Sequence, residues 1–530
     1  MALLAACGAL TIPGSALGGK GFVDGVTAGE ITSHSAIVWA RARHPGPVIA
    51  VVRGPSATPL AGEKASTAGS PLFARRARRR NDNTVQVKVD HLRSGRAYRY
   101  FFCLDARLRR CSPTGKFRTA PKASAERTIR FAYSGDETAV AEPGHTNPFW
   151  GRMKAFASMA AEGNDFNIDF GDTIYSDPEV PGVKTARSVK AKWRMYRKKL
   201  SIANMRKVRA ATGMYDHWDD HEFINDFSIP EDGRKLYRRG VRAFRDFEPV
   251  HYSKKDGIYR TFRWGRNLEL FFLDERSFRS AKASANGACD NPSTNQPDLA
   301  PTAPQSTRNV FALLIPSLAN PVSQRCKNRI NSPNRTFLGS HQLHRFLRDV
   351  KSSRARWKVV MNEDPIQQFY GLPYDRWEGY AYERVKLLKA LTKADVRHLV
   401  FLTTDTHAAF ANVVRYRTLS GDVAPANAPA AAPSETPFQD FIIGPVATKP
   451  FWQEIDDTTG SPNSGKLLSQ AFFKPQPPNG VGMACAQGGE NSYAEVTVRS
   501  ASLKVAYKDE DGNTIKDVDG VTNCGPYILH

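Results

Sequence analysis

Between Asp216 and Asn225 the chain gathers Asp216, His217, Asp219, Asp220, His221, Glu222 and Asn225, with Trp218 and Phe223 among them to dock the stretch on a core. Hard cations take oxygen ligands and borderline ones take imidazole, so this mixture suits a mixed or multinuclear metal site. The competing interpretation is a polar, hydrogen-bonded loop. Three other places carry the same chemistry: Asp136, Asp172 with Tyr175, and Asp405 with His407. A carboxylate such as Asp172 can bridge two cations, and a pair about 3.5–4 Å apart clamps a phosphoryl group and turns water into hydroxide near neutral pH. No protein nucleophile is then required.

Each of these acids follows an apolar run. Ile129 to Ser134 leads into Gly135 and Asp136, and Phe166 to Phe170 leads into Gly171 and Asp172. Leu268 to Leu273 precedes Asp274, Glu275 and Arg276, Trp357 to Met361 precedes Asn362 to Asp364, and Leu399 to Thr403 precedes Asp405 and His407. Such runs read as strands alternating with helices, one of them from Phe149 to Met159, and open α/β sheets build their sites at the carboxyl ends of strands. From Phe22 to about Pro121 the texture differs. Short β-branched or alternating runs at Ser35–Arg41, Val48–Val52, Thr84–Val89 and Arg96–Phe102, punctuated by Gly, Pro and Ser, predict an immunoglobulin- or fibronectin-like β-sandwich. Tyr493–Val498 and Leu503–Tyr507 predict a closing hairpin.

The 530 residues exceed what one core supports, so more than one domain is expected. We divide the chain into an export-signal-like leader at 1–19, a sandwich at 20–121 and a catalytic domain at 128–530. No apolar run is long enough to span a membrane. Leu4 to Cys7 also resembles a bacterial lipoprotein box, which would lipidate Cys7. The other six cysteines, none in a CxxC spacing, imply disulfides and a secreted, periplasmic or cell-surface protein. Proximity in sequence favours Cys103 with Cys111, Cys289 with Cys326 and Cys485 with Cys524, out of fifteen possible connectivities. The net charge of +23 invites a nucleic-acid partner. Its densest runs, Ala74–Arg80 and Lys184–Arg209, lie far apart, and the second keeps Val189, Trp193, Tyr196 and Leu200 at helical spacing, so a solvated face is preferred and no stable nucleic-acid partner is expected. A monomer is the expected state.

Six motifs in order resemble the PhoD-like alkaline phosphatases and phosphodiesterases of the calcineurin-like metallophosphatases. They are Gly171–Tyr175, Trp218–Glu222 with Asn225, Leu273–Arg276, Phe337–Gln342, Trp377–Tyr380 with Glu383 and Arg384, and Asp405–His407. The resemblance covers nearly the whole chain. It implies a four-layer α/β/β/α catalytic domain behind a β-sandwich, export, and at least two ions, iron and calcium or other divalent metals such as Mn, Zn or Mg. Carried over, it makes Asp172 the bridging ligand, Tyr175 a phenolate ligand, Asn225 a ligand of the second metal, and Asp405 and His407 ligands of the last motif. Asp220 becomes a further ligand, and His221 the group that contacts the phosphoryl or protonates the leaving oxygen. Asp136 stands where the type member has a cysteine, which weakens the preference for iron, and Thr404 replaces a glycine.

The implied activity is metal-dependent hydrolysis of phosphate mono- or diesters by a metal-bound hydroxide. The alternatives are a phospholipase D-like phosphodiesterase and a non-catalytic phosphate- or nucleic-acid-binding protein. Asp274 with Arg276 is expected to form an internal ion pair, Trp377, Tyr380 and Arg384 to orient a loop, and His341 and His344 to sit on a helix surface.

Overall fold

β-Branched and aromatic residues alternating with polar ones suit a half-buried pleated surface. In the computed structural model, which describes residues 21–54 and 72–530, the first such stretch folds as two antiparallel sheets. The leader and Cys7 lie outside the described residues. The strands are β1 (Phe22–Gly29), β2 (Ala36–Ala42), β3 (Gly46–Arg53), β4 (Leu72–Ala77), β5 (Thr84–Val89), β6 (Ala97–Cys103) and β7 (Gly115–Arg118). They pair as β1-β2-β5 and β4-β3-β6-β7. The Tyr98 hydroxyl accepts from the Arg93 amide at 2.8 Å, pinning the corner ahead of the aromatic strand. The basic run falls on edge strand β4 and the turn after it, where charge also discourages edge-to-edge pairing.

The second part follows with β8 (Ile129–Ser134), β9 (Phe166–Phe170), β10 (Gly213–His217), β11 (Arg260–Trp264), β12 (Leu268–Phe272), β13 (Trp357–Asn362) and β14 (Leu399–Thr403). It ends with β15 (Ala409–Arg417), β16 (Ser434–Ile442), β17 (Cys485–Gln487), β18 (Ser492–Val498), β19 (Leu503–Asp509) and β20 (Tyr527–Leu529). One sheet runs β10-β9-β8-β18-β19-β20 and the other β11-β12-β13-β14-β16-β15-β17. β8, β9 and β10 are parallel, as are β12, β13 and β14, so their carboxyl ends share an edge.

Parallel strands need both faces covered. Phe131 and Ile168 of one sheet share an apolar cluster with Leu270, Val359 and Met361 of the other, so the sheets pack face to face. The outer face of the first is covered by Phe156, Leu200 and Phe244 from three helices, and that of the second by Phe346, Leu387 and Leu388 from two more. The result is the α/β/β/α order. Both faces of each sheet are therefore dry, and the polar ends of the strands are the natural place for a site.

Three disulfides form, Cys103–Cys111, Cys289–Cys326 and Cys485–Cys524. Two sequence expectations change. The loop alternative fails at the start of the acid-rich stretch: Gly213 to His217 is an edge strand with every residue buried, Asp216 lying 3.8 Å from Arg209. The helix expected from Phe149 begins at Lys154, because Phe149 and Trp150 stack edge to face and Met153 takes a left-handed conformation ahead of it. No helix among the described residues is long and apolar enough to cross a membrane.

Candidate metal centre

At the shared strand edge the backbone is bent to present side chains. Asp136, Asp172, Asp405 and His407 all have positive φ, between 50° and 63°, a conformation that side chains with a Cβ rarely adopt unless the surroundings enforce it. The first two turns are zipped together, the Asp136 amide donating to the Gly171 carbonyl and that of Glu137 to the Asp172 carbonyl, both at 3.2 Å. A Cβ at Gly135 would lie 2.3 Å from the Phe170 carbonyl oxygen, so this approach requires glycine.

Asp136, Asp172 and His407 bring ligand atoms within 4.8 Å of one another, and so do Asp172, Asp220 and His221. Asp172 belongs to both groups. A third group, Asp220, Asp226 and Asp375, shares Asp220. Neither Asp136 oxygen has a hydrogen-bond partner, nor does Asp220 Oδ1, although both residues are buried. Orphaned carboxylate oxygens are costly without a proton or a cation. Asp172 Oδ1 accepts from the His221 amide at 3.0 Å. The Tyr175 hydroxyl lies 2.8 Å from His407 Nε2, and its ring stacks on His221 with centroids 4.0 Å apart.

Each histidine is held from behind. His221 Nδ1 meets Asp177 Oδ1 at 2.8 Å, and His407 Nδ1 meets Glu454 Oε1 at 2.7 Å, which aims both Nε2 atoms into the cluster. Burial opposes charge on His221, but Asp220 and Asp177 raise it to about 10; on His407, Glu454 and Asp136 outweigh burial and raise it to about 9. Burial, followed by the neighbouring acids, lifts Asp172 well above the carboxylate range, and burial with Asp172 and Asp136 lifts the Tyr175 phenol. So dense a set of oxygen donors and imidazoles is relieved by divalent or trivalent cations, and the residues fit such a group.

Burial drives Asp136 up to about 8, with His407 opposing. The folded chain then holds a proton that the unfolded chain, with its carboxyl near 3.9, releases. Metal-free protein should lose this stability as pH rises from about 4 through 8. Added divalent metal should raise Tm more at pH 8 than at about pH 5, because ligation displaces that proton. Equal gains in a thermal-melt series would remove Asp136 from the ligand set.

Of the sequence-derived acids and histidines, Asp405 stands outside these groups, its side chain 23% exposed and 4.0 Å from Arg276; Asn225 is exposed, its side-chain amide donating to Asp226 Oδ1 at 3.1 Å. The expected Asp274–Arg276 ion pair does not form. Asp274 instead accepts from the Ile258 amide at 3.0 Å and the Ser277 hydroxyl at 2.6 Å, while fully buried Arg276 pairs with Asp219, Asp375 and, at 3.3 Å, Asp364. Asp177, Asp226, Asp375 and Glu454 were not singled out in the sequence. Asp177, two residues past Tyr175, carried the nearest signal; Glu454 arrives on helix Phe451–Thr459, which nothing local ties to His407.

Among known proteins, the model of the PhoD-like phosphatase matches residues 139–496, and that of the PhoD-like phosphatase N-terminal domain matches residues 9–121. Alkaline phosphatase D of Bacillus subtilis (strain 168) is 24% identical over 435 residues, covering 74% of this chain and 65% of that relative. A solved structure of PhoD superimposes with a TM-score of 0.69 at 19% identity, covering 96% of this chain and 93% of that one. Purple acid phosphatase PPD1 from yellow lupin (Lupinus luteus) seeds superimposes with a TM-score of 0.52 at 11% identity, over 93% and 72% of the two chains. These two likenesses establish the fold.

Proposed function

The chain belongs to the PhoD-like phosphatase family, and from that premise we propose that it is an exported, metal-dependent hydrolase of phosphate mono- or diesters. The observation that carries this is the pair of donor groups sharing Asp172, with orphaned carboxylate oxygens on Asp136 and Asp220. Asp136, Asp172, His407 and Tyr175 would hold one cation, and Asp172, Asp220 and the neighbouring acids the second. Bound there, two cations supply Lewis-acid charge at the phosphoryl oxygens and acidify water.

The chain's own groups do the rest. Asp177 fixes the His221 ring so that Nε2 faces Asp172 Oδ2 at 3.9 Å, the position from which a proton can pass to a leaving oxygen. Asp220 and Asp177 hold that ring protonated against burial. Tyr175, stacked on the same ring, limits its rotation. The three disulfides support an oxidising, extracytoplasmic location.

The test is His221→Ala assayed on matched nitrophenyl and alkyl esters, alongside elemental analysis. A positioned proton donor supplies roughly 10²–10⁴-fold, most for poor leaving groups. Alkyl ester turnover should fall about 10² further than nitrophenyl turnover while metal content holds. An equal fall on both substrates with loss of metal would make His221 a ligand and not a proton donor.

A further inference from the structure

Helix Arg234–Phe247 carries Arg234, Arg238, Arg242 and Arg245 every three to four residues along one exposed stripe. Its only acid, Asp246, accepts from the Trp193 indole at 3.0 Å and lies 3.9 Å from Arg242. The adjoining helix Val189–Ser201 has no acid and exposes Lys190, Arg194 and Lys198. Arg242 lies over the Trp193 ring, 5.8 Å from its centroid, and donates to the Arg80 carbonyl, while Arg197 reaches Asp82. These contacts join both helices to the exposed turn Arg78, Arg79 and Arg80 of the sandwich. The face crosses from one part of the molecule to the other with a large excess of positive charge, since Asp246 and Asp82 are its paired acids and Asp82 is already shared by Arg41 at 3.0 Å. A field of this kind is costly to keep unless something anionic meets it.

We propose that this face docks the enzyme on an anionic phospholipid surface. Trp193 and Tyr196 between the cations are buried, so the face offers no exposed aromatic platform for bases to stack on and reads phosphate charge alone. Two helices of thirteen and fourteen residues, each about 20 Å long, lie side by side and make it broad where a single chain would need a groove. The tether points the same way. The Arg43 amide donates to the Gly21 carbonyl at 2.9 Å, that of Ala42 to Asn83 at 3.1 Å, and that of Asn83 to Arg78 at 2.9 Å, so the chain enters the sandwich at the corner that carries the arginine turn. One lipid chain at a site such as Cys7 binds membranes only marginally, and a polybasic patch is the second signal that makes anchoring stable.

Sedimentation of the full chain with phosphatidylcholine vesicles, with or without phosphatidylglycerol, tests this. Binding should require phosphatidylglycerol and vanish in salt that shortens the Debye length to about 3 Å. The combined variant Arg78→Gln, Arg79→Gln, Arg80→Gln, Arg234→Gln and Arg238→Gln should lose roughly fivefold in partitioning per charge, with turnover of a soluble nitrophenyl ester unchanged. Equal binding to phosphatidylcholine alone, or undiminished binding by the variant, overturns the proposal. So does release from the vesicles by a stoichiometric single-stranded oligonucleotide, which would assign the face to nucleic acid.

Discussion

Asp172→Asn is expected to be nearly inactive on every ester and to hold one metal fewer than the native chain. The substitution keeps the side-chain shape and leaves an oxygen to accept from the His221 amide at 3.0 Å, so the turn itself should survive. What it removes is the negative charge common to two donor groups. Removing one positioned electrostatic element costs about 10²–10³ in rate, and losing a cation as well should take the total beyond that, more than about 4 kcal/mol of barrier at 1.36 kcal/mol per tenfold. Elemental analysis and turnover on one preparation decide the matter. Full metal content with near-native turnover would make Asp172 a structural acid and end the bimetallic interpretation.

Arg276→Met should be the most destabilising single change near the site. The guanidinium is fully buried and pairs with Asp219, Asp375 and Asp364, so its loss strands acids that no other cation fully reaches; Arg279 still meets Asp375 at 3.0 Å. Breaking a buried pair in this way costs about 3–5 kcal/mol, read as a shift in denaturant midpoint. The pH dependence follows from Asp375, which Arg276 and Arg279 hold at about 2 against burial. A lowered carboxyl stabilises the fold above its unfolded value near 3.9, and that contribution fades as pH falls toward 2. The deficit of the variant should therefore be full at neutral pH and narrow below about pH 4. Arg276→Lys should recover part of it. A midpoint within about 1 kcal/mol of native for Arg276→Met would show that the acids are relieved by protons or metal instead.

The strands that build the centre were legible because each is an apolar run followed two residues later by an aspartate: β8, β9 and β14 begin and end where Ile129–Ser134, Phe166–Phe170 and Leu399–Thr403 predict. Gly213–His217 was obscured by its own composition, since Asp216 and His217 look solvated until Arg209 and the sheet cover them. Strands Ala409–Arg417 and Ser434–Ile442 went unread because no turn signal separates the first from the His407 motif. Within the centre, the acids on the strand ends could be listed from sequence. The acids that aim the histidines could not, because Glu454 reaches His407 only through the packing of its helix, whose first amide bonds the His407 carbonyl at 3.0 Å. The Arg276 hub was misassigned for a related reason: the nearest acid in sequence, Asp274, is spent on backbone amides and a hydroxyl.

β18 lies between β8 and β19 in the six-stranded sheet, and Arg130 of β8 meets Glu495 of β18, 365 residues later. Closing a loop of that length carries an entropic cost that only the finished sheet repays. Residues 1–490 hold every donor named at the centre, while β8 still lacks the neighbour that β18 provides. β8, which leads into Asp136, has one flank open until Ser492–Val498 pairs with it, so the edge that carries the donors is completed late.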